Sequence, residues 1–321
     1  SLLLKDGQFS GVAVWSLTTG EFFVVQGKAA IIATGGACRM FGFTTYSLTA
    51  TGDGLAMAYK AGLPIKDLEF VQFHPTGLIP SGILMTEACR GEGGYLRNAN
   101  GERFMEKYAP SKMELAPRDI VSRSEQTEIE EGRGIVGPEG IIGINLDLTH
   151  LGADKINERL PMIREVTIKL NFIDPINEPI PIRPAAHYFM GGVHTDIEGA
   201  TPVPGIWCSG EAACVSLHGA NRLGSNSTAE CLVWGKITGQ RAAEFASGMK
   251  ACPDLPPDKA LQEEEDKVFK RYLSGGSESS FKILKELQSA MDANVGVFRD
   301  EKGMQKAFDK IKELKTRVPN M

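Results

Sequence analysis

The chain has 321 residues, enough for a sizeable core and two or three domains, and its 42% hydrophobic and 23% charged residues are those of an ordinary globular protein. With 35 basic against 40 acidic residues the net charge is −5, which gives no electrostatic reason to expect nucleic acid. No apolar run approaches the roughly 20 residues that span a bilayer. Six irregularly spaced cysteines without a C-x-x-C pair argue against structural zinc or an iron–sulfur cluster, and for free thiols in a reducing compartment.

In chain order, residues 12–17 and 21–26 read as a hairpin. Lys28-Ala29-Ala30-Ile31-Ile32-Ala33-Thr34-Gly35-Gly36-Ala37 then reads as a buried strand running into a glycine turn, the place where open α/β sheets bind ligands. A helix is predicted over 53–61, capped by Asp53 and stopped by Gly62 and Pro64. Residues 69–186 have the glycine-rich turns of an insertion, with helices near 116–131 and 154–170. The stretch 174–184 holds four prolines and predicts an extended crossing back to the first region.

A short apolar strand at 205–209 leads into a loop containing Glu211, Arg222, Gly219 and Gly224. Ser227 with Glu230 three positions later reads as a capping box, and Leu232, Val233, Ile237 and Ala243 continue an amphipathic period up to Phe245. The unpaired N–H groups of that first turn suit a phosphate, a carboxylate or an electron-rich ring carbonyl. By itself the segment reads either as a cofactor and anion site or as a plain structural turn. Beyond Cys252-Pro253-Asp254-Leu255-Pro256-Pro257-Asp258, helices are predicted at about 259–273, 278–293 and 303–315.

Four further blocks bear on the choice: Phe73-His74-Pro75-Thr76-Gly77, Met85-Thr86-Glu87-Ala88-Cys89-Arg90-Gly91-Glu92-Gly93-Gly94-Tyr95, Ala186-His187-Tyr188-Phe189-Met190-Gly191-Gly192 and Leu223-Gly224-Ser225. With the 28–37 strand they resemble the flavoprotein subunit of succinate dehydrogenase and fumarate reductase, in the FAD-dependent oxidoreductase 2 family, whose soluble cousin is L-aspartate oxidase. The resemblance covers nearly the whole chain. Members of that family begin with a strand and a G-x-G-x-x-G turn around the flavin diphosphate, and none opens this chain, so residue 1 is expected to fall inside the domain.

The resemblance implies an α/β fold: a partial, Rossmann-like FAD-binding domain (1–68 and 187–250), an inserted α+β capping domain (69–186) and a C-terminal helical region (251–321). It implies interconversion of succinate and fumarate at FAD. His74, Thr86, His187 and Arg222 would hold the carboxylates, and Arg118, with Glu87 and Arg90, would move the proton. Cofactor positions would be Thr34, Gly35, Gly36, Ala37, Asp53, Glu211, Ser227 and Thr228, the last of these replacing a usual leucine. An iron–sulfur subunit and a quinone-carrying membrane anchor are the implied partners, at the cytoplasmic face of the cell membrane or the mitochondrial matrix side. L-aspartate oxidase and an inactive flavin-domain remnant are the alternative readings.

The residues also carry plainer readings. Arg118 could pair with Asp119 or Glu114, Glu87 with Arg90 and Glu92 could form a surface ion-pair cluster, and Asp53 could be no more than a helix cap. Cys89, beside Arg90, is expected to have a lowered pKa.

Overall fold

The computed structural model describes residues 1–272 and 275–321. The chain opens as an antiparallel meander of strands Leu2–Lys5, Gln8–Trp15 and Phe22–Gln26. Strand Ala30–Ile32 then pairs in parallel with Ile206–Cys208, in the register Ala30 to Ile206 and Ile32 to Cys208. A second small sheet joins Ile65–Lys66, Gly192–His194 and Ala213–Cys214, the last two again parallel. Sequence-distant strands thus meet around one core that includes Phe9, Ile32, Phe41, Leu63, Phe189, Val193 and Ile206.

Between these halves lies a five-stranded antiparallel sheet in the order Val71–Leu78, Ile180–Phe189, Ile142–Asp147, Tyr95–Arg97, with Ile135–Val136 paired to Ile142–Asp147. Helix Arg118–Glu130 packs on it, and a second core forms from Leu78, Met85, Leu96, Val121, Ile144, Leu146 and Ile182. The helix expected over 154–170 is two helices, Ala153–Arg159 and Pro161–Asn171. Pro161 lacks the N–H for a continuous ladder and forces Leu160 out of helical geometry, at φ −131 and ψ 35.

The crossing expected over 174–184 is extended only from Ile180, where it joins the strand Ile180–Phe189, paired on both sides; before it, Asn177 and Glu178 turn back to the Asp174 carbonyl. Pro184 falls where the register slips between Arg183 and Ala185, so its missing N–H costs no ladder bond. This strand starts in the second core with Ile180 and Ile182 and ends in the first with Ala186 and Phe189. His187 and Tyr188 therefore sit at the junction of the two.

Two helix starts differ from expectation. Asp53 does not cap its helix: it is the first residue of Asp53–Lys60, Gly52 at φ 84 occupies the capping position, and the Asp53 carboxylate accepts from the Thr51 hydroxyl at 3.0 Å. The long helix Asn226–Gly248 likewise follows Ser225, at φ 65, with no side-chain cap, so the Ser227–Glu230 capping box does not form. Glu230 is drawn inward to buried polar partners instead. That helix buries Glu230, Thr238 and Ala242, while Leu232 is 72% exposed, so the expected apolar stripe is not the packed face.

Helices Asp258–Tyr272, Ser280–Asn294 and Glu301–Arg317 complete the chain, and the predicted end at residue 273 lies outside the described residues. Ser279 and Asp300 cap the last two through Lys282 N and Gly303 N. Asp292 accepts the Gly42 N–H at 3.1 Å and so ties this helical region to the first core. Among the described residues no helix is long and apolar enough to cross a membrane.

Candidate active site

Gln72, His74 and Thr76 alternate along the strand Val71–Leu78, and all three are buried. His74 Nδ1 accepts the Thr76 backbone N–H at 3.2 Å, which places the proton of a neutral imidazole on Nε2. Burial, reinforced by His187 and by Arg118, Arg90 and Arg222, holds the His74 pKa well below the usual histidine range. On the neighbouring strand His187 lies edge-on to His74, ring centroids 5.0 Å apart, and Thr45 Oγ1 is 2.8 Å from its Nδ1. Burial, with the charges of Arg222 and Arg118, lowers the His187 pKa to about 3. Both rings are neutral at pH 7 and can offer N–H groups without adding charge.

Beside the histidines, two arginines meet one carboxylate. Arg118, the first residue of its helix, donates to Glu87 Oε2 from Nη2 at 2.7 Å and from Nε at 3.2 Å. Arg90 Nη2 lies 3.3 Å from Glu87 Oε1, close enough for an ion pair but not aligned as a hydrogen bond. Burial opposes the charge on Glu87, but the Arg118 hydrogen bonds and the charges of Arg118, Arg90 and Arg222 hold its pKa below the ordinary carboxylate value. A Cβ on Gly224 would meet Glu87 Oε2 at 3.0 Å, so the loop backbone passes close to this pair.

Of the plainer pairings only Glu87 with Arg90 occurs. Asp119 pairs with Arg123, Glu114 with Arg103 and Glu92 with Arg159, while Arg90 is only 2% exposed rather than part of a surface cluster. Thr86 is half-buried beside Glu87 and accepts from the Ala88 N–H at 3.4 Å. The Cys89 thiol, expected to be activated by Arg90, is buried, and burial pushes its pKa up to about 12 against the pull of that arginine. All six cysteines are free.

Arg222 is 3% exposed and its loop is anchored by a residue that sequence reasoning missed. Gln72 Nε2 donates to Asn221 Oδ1 at 2.9 Å and to the Arg222 carbonyl at 2.7 Å, while its Oε1 accepts from Arg118 Nη1 at 3.2 Å. One side chain thus joins both arginines. Its place two residues before His74 on a strand was the available signal. Tyr188, next to His187, was missed in the same way; its ring lies 4.3 Å beneath the Arg222 guanidinium. Three guanidinium groups, on Arg90, Arg118 and Arg222, gather around one ionised carboxylate, an excess of positive charge that suits a dianion.

On the other side of Arg222 stand the expected cofactor positions. Thr34 to Ala37 form the loop after the Ala30–Ile32 strand, and a Cβ on Gly36 would come within 2.5 Å of Glu211 Oε1. Glu211 accepts from the Phe189 N–H at 2.7 Å and from the Tyr46 hydroxyl, and burial raises its pKa to about 7. Ser227 and Thr228 lie in the first turn of the helix without a side-chain cap, where the Asn226 and Thr228 N–H groups turn back to the Leu223 and Ser225 carbonyls; Leu217 and Leu223 of the preceding loop are 47% and 67% exposed. Such an edge, with a glycine cradle, the positive end of a helix and apolar side chains, fits a flat anionic cofactor. Asp53 is exposed at its helix start, between Gly52 and Gly54, where added Cβ atoms would meet Ala37 Cβ at 2.7 Å and the Thr34 side chain, so it borders the same glycine loop.

Parallel strands ending in a glycine turn, a helix N-terminus without a side-chain cap and an adjoining cationic cleft define an α/β protein of the nucleotide-cofactor class. The chain belongs to the FAD binding domain family, which matches residues 1–228, and residues 284–321 match the fumarate reductase flavoprotein C-terminal family. It is 46% identical to the 8-methylmenaquinol:fumarate reductase flavoprotein subunit of Wolinella succinogenes, over 99% of this chain and 53% of that protein. It is 42% identical to the fumarate reductase flavoprotein subunit of Haemophilus influenzae, over 98% of this chain and 55% of that one. A solved quinol–fumarate reductase with menaquinol molecules superposes with a TM-score of 0.95 at 40% identity, covering 100% of this chain and 57% of that chain. The chain spans about half the length of the curated relatives it matches.

Proposed function

We propose that this chain carries the dicarboxylate site and part of the FAD site of an oxidoreductase that interconverts succinate and fumarate. The observation that carries the reading is the convergence of Arg118 and Arg90 on Glu87, beside two neutral histidines and the buried Arg222. Residues 1–68 and 187–250 would form the flavin-binding part, 69–186 the cap and 251–321 the helical region; a separate hydrophobic core within 78–182 supports setting the cap apart.

In this reading His74 Nε2, His187, Thr86 and Arg222 donate to the two carboxylates and hold the substrate with its reacting carbons fixed. FAD, when bound, supplies a hydride acceptor or donor at the flavin N5. Thr34 to Ala37, Glu211, Ser227 and Thr228 would hold it, with the Glu211 carboxyl, protonated in part near neutral pH, available to a hydroxyl.

The proton is the task of Arg118. A guanidinium normally keeps its proton, so transfer needs a carboxylate in contact to return it and neighbouring cations to disfavour the charge. Glu87 supplies the first at 2.7 Å, and Arg90, on the same carboxylate, is the neighbouring cation. Arg118 and Glu87 are the hydrogen-bonded pair of this relay, with Arg90 as an ion-pair neighbour of the same carboxylate.

Electrons would pass to an iron–sulfur subunit and a quinone-carrying membrane anchor, with this chain peripheral at the cytoplasmic face; the names of the relatives support partners of that kind. The test is an absorbance titration of the flavin-loaded complex with succinate and then L-aspartate. Bleaching by succinate alone is expected. Bleaching by L-aspartate alone would replace this reading with an aspartate oxidase.

A further inference from the structure

A buried arginine without a carboxylate partner needs another source of stabilisation. Among the described residues Arg222 forms no ion pair; its Nε has no hydrogen-bond partner, and Nη1 reaches only the Leu223 carbonyl at 3.2 Å. The guanidinium instead lies over the Tyr188 ring, its Cζ 4.3 Å from the centroid.

Tyr188 is itself held from behind. Its hydroxyl donates to Glu230 Oε2 at 2.6 Å, and His218 Nε2 lies 2.8 Å from the same oxygen and 3.4 Å from the tyrosine hydroxyl. The His218 ring stands edge-on to the tyrosine at 5.5 Å, and Tyr188, Glu230 and the His218 side chain are all at most 5% exposed. Burial and the adjacent Glu230 raise the tyrosine pKa, so the ring keeps its hydroxyl proton and points it at the carboxylate. A phenol donating to an anion is electron-rich, which strengthens attraction of a cation to its face.

We propose that Tyr188, locked by Glu230 and His218, is the positioning residue of Arg222: its ring face takes the place of a carboxylate partner and leaves the guanidinium edge free for a ligand carboxylate. An ion pair would hold the arginine equally well but would consume the N–H groups and the charge that recognise the ligand. The ring holds it from one side and competes for neither. The ligand part of this inference rests on the dicarboxylate reading above; the placement of Arg222 does not.

The test uses the 321-residue chain with malonate as the probe. Arg222 Nε–Hε is followed by NMR, assigned through its loss in Arg222→Lys, and malonate affinity by calorimetry. A guanidinium over a ring face gives an upfield-shifted signal in the parent and in Tyr188→Phe. In Tyr188→Leu the shift disappears and malonate binds about 2- to 30-fold more weakly, the range for a partly desolvated cation–π contact. Tyr188→Met serves if the leucine variant does not fold.

Rescue by phenylalanine separates the ring from the general effect of a core substitution. The inference is overturned if the Arg222 signal is the same with and without an aromatic ring at 188, or if Tyr188→Phe loses as much malonate affinity as Tyr188→Leu. If no form binds malonate, the dicarboxylate reading fails, and the ring-current shift alone decides the placement of Arg222.

Discussion

Replacing Gln72 with methionine removes three hydrogen bonds at nearly constant volume, from a side chain only 4% exposed. Arg118 keeps its two bonds to Glu87, so its loss is small. The Arg222 carbonyl loses its 2.7 Å partner inside the protein, a penalty of about 1–3 kcal/mol, and the Asn221 contact adds about 0.5–1.5 kcal/mol. A destabilisation of roughly 2–4 kcal/mol is expected by urea unfolding. The loop carrying Arg222 should also loosen, weakening malonate binding in the folded variant. Gln72→Glu separates the roles: a carboxylate can still accept from Arg118, but it cannot donate to the Arg222 carbonyl. A methionine variant as stable as the parent within about 0.5 kcal/mol, the scale of an ordinary surface substitution, would refute the claim that Gln72 ties the two arginines together.

Three other outcomes are expected. Arg118→Ala in the flavin-loaded complex should lower turnover by about 10²–10⁴ with flavin content unchanged, and near-normal turnover would remove Arg118 as the proton donor. Arg222→Ala or His187→Ala should weaken malonate binding by roughly 1.5–3 kcal/mol, the value of a hydrogen bond to a charged group; calorimetric titrations that match the parent would mean that these side chains do not touch the ligand. Glu211 should make stability pH-dependent: its folded pKa of about 7 exceeds the ordinary 4.5, so its contribution is fully present below pH 4.5 and is lost as the pH rises through about 7. Glu211→Gln should flatten the decline in unfolding free energy over that window, and an unchanged slope would place the raised carboxyl elsewhere.

Much of the chemistry was legible along the chain because it depends on local runs. The glycine turn after the Ile31 strand, the His74 and His187 blocks and the Arg222 loop each declare a residue type that cofactor or anion chemistry needs. Pro161 was equally legible as a helix breaker, yet the apolar period running through it concealed the break. The capping box at Ser227 and Glu230 failed for the opposite reason: the spacing was right, but Tyr188 and His218 compete for the same carboxylate from outside the helix.

What the sequence by itself determined was the inventory: which acids, histidines and arginines are present, and on which kinds of element. Only the tertiary structure decided which of them meet. Glu87 and Arg118 are 31 residues apart and Gln72 and Arg222 are 150 apart, and no local pattern distinguishes Glu87 from Asp119 or Glu114 as the partner of Arg118. That choice follows from the pairing of Val71–Leu78 with Ile180–Phe189 and from the helix Arg118–Glu130 packed across them. The same packing buries Arg90 and His74, and so turns ordinary side chains into a cationic cleft with neutral imidazoles, because the cost of charge depends on exclusion from water rather than on residue type.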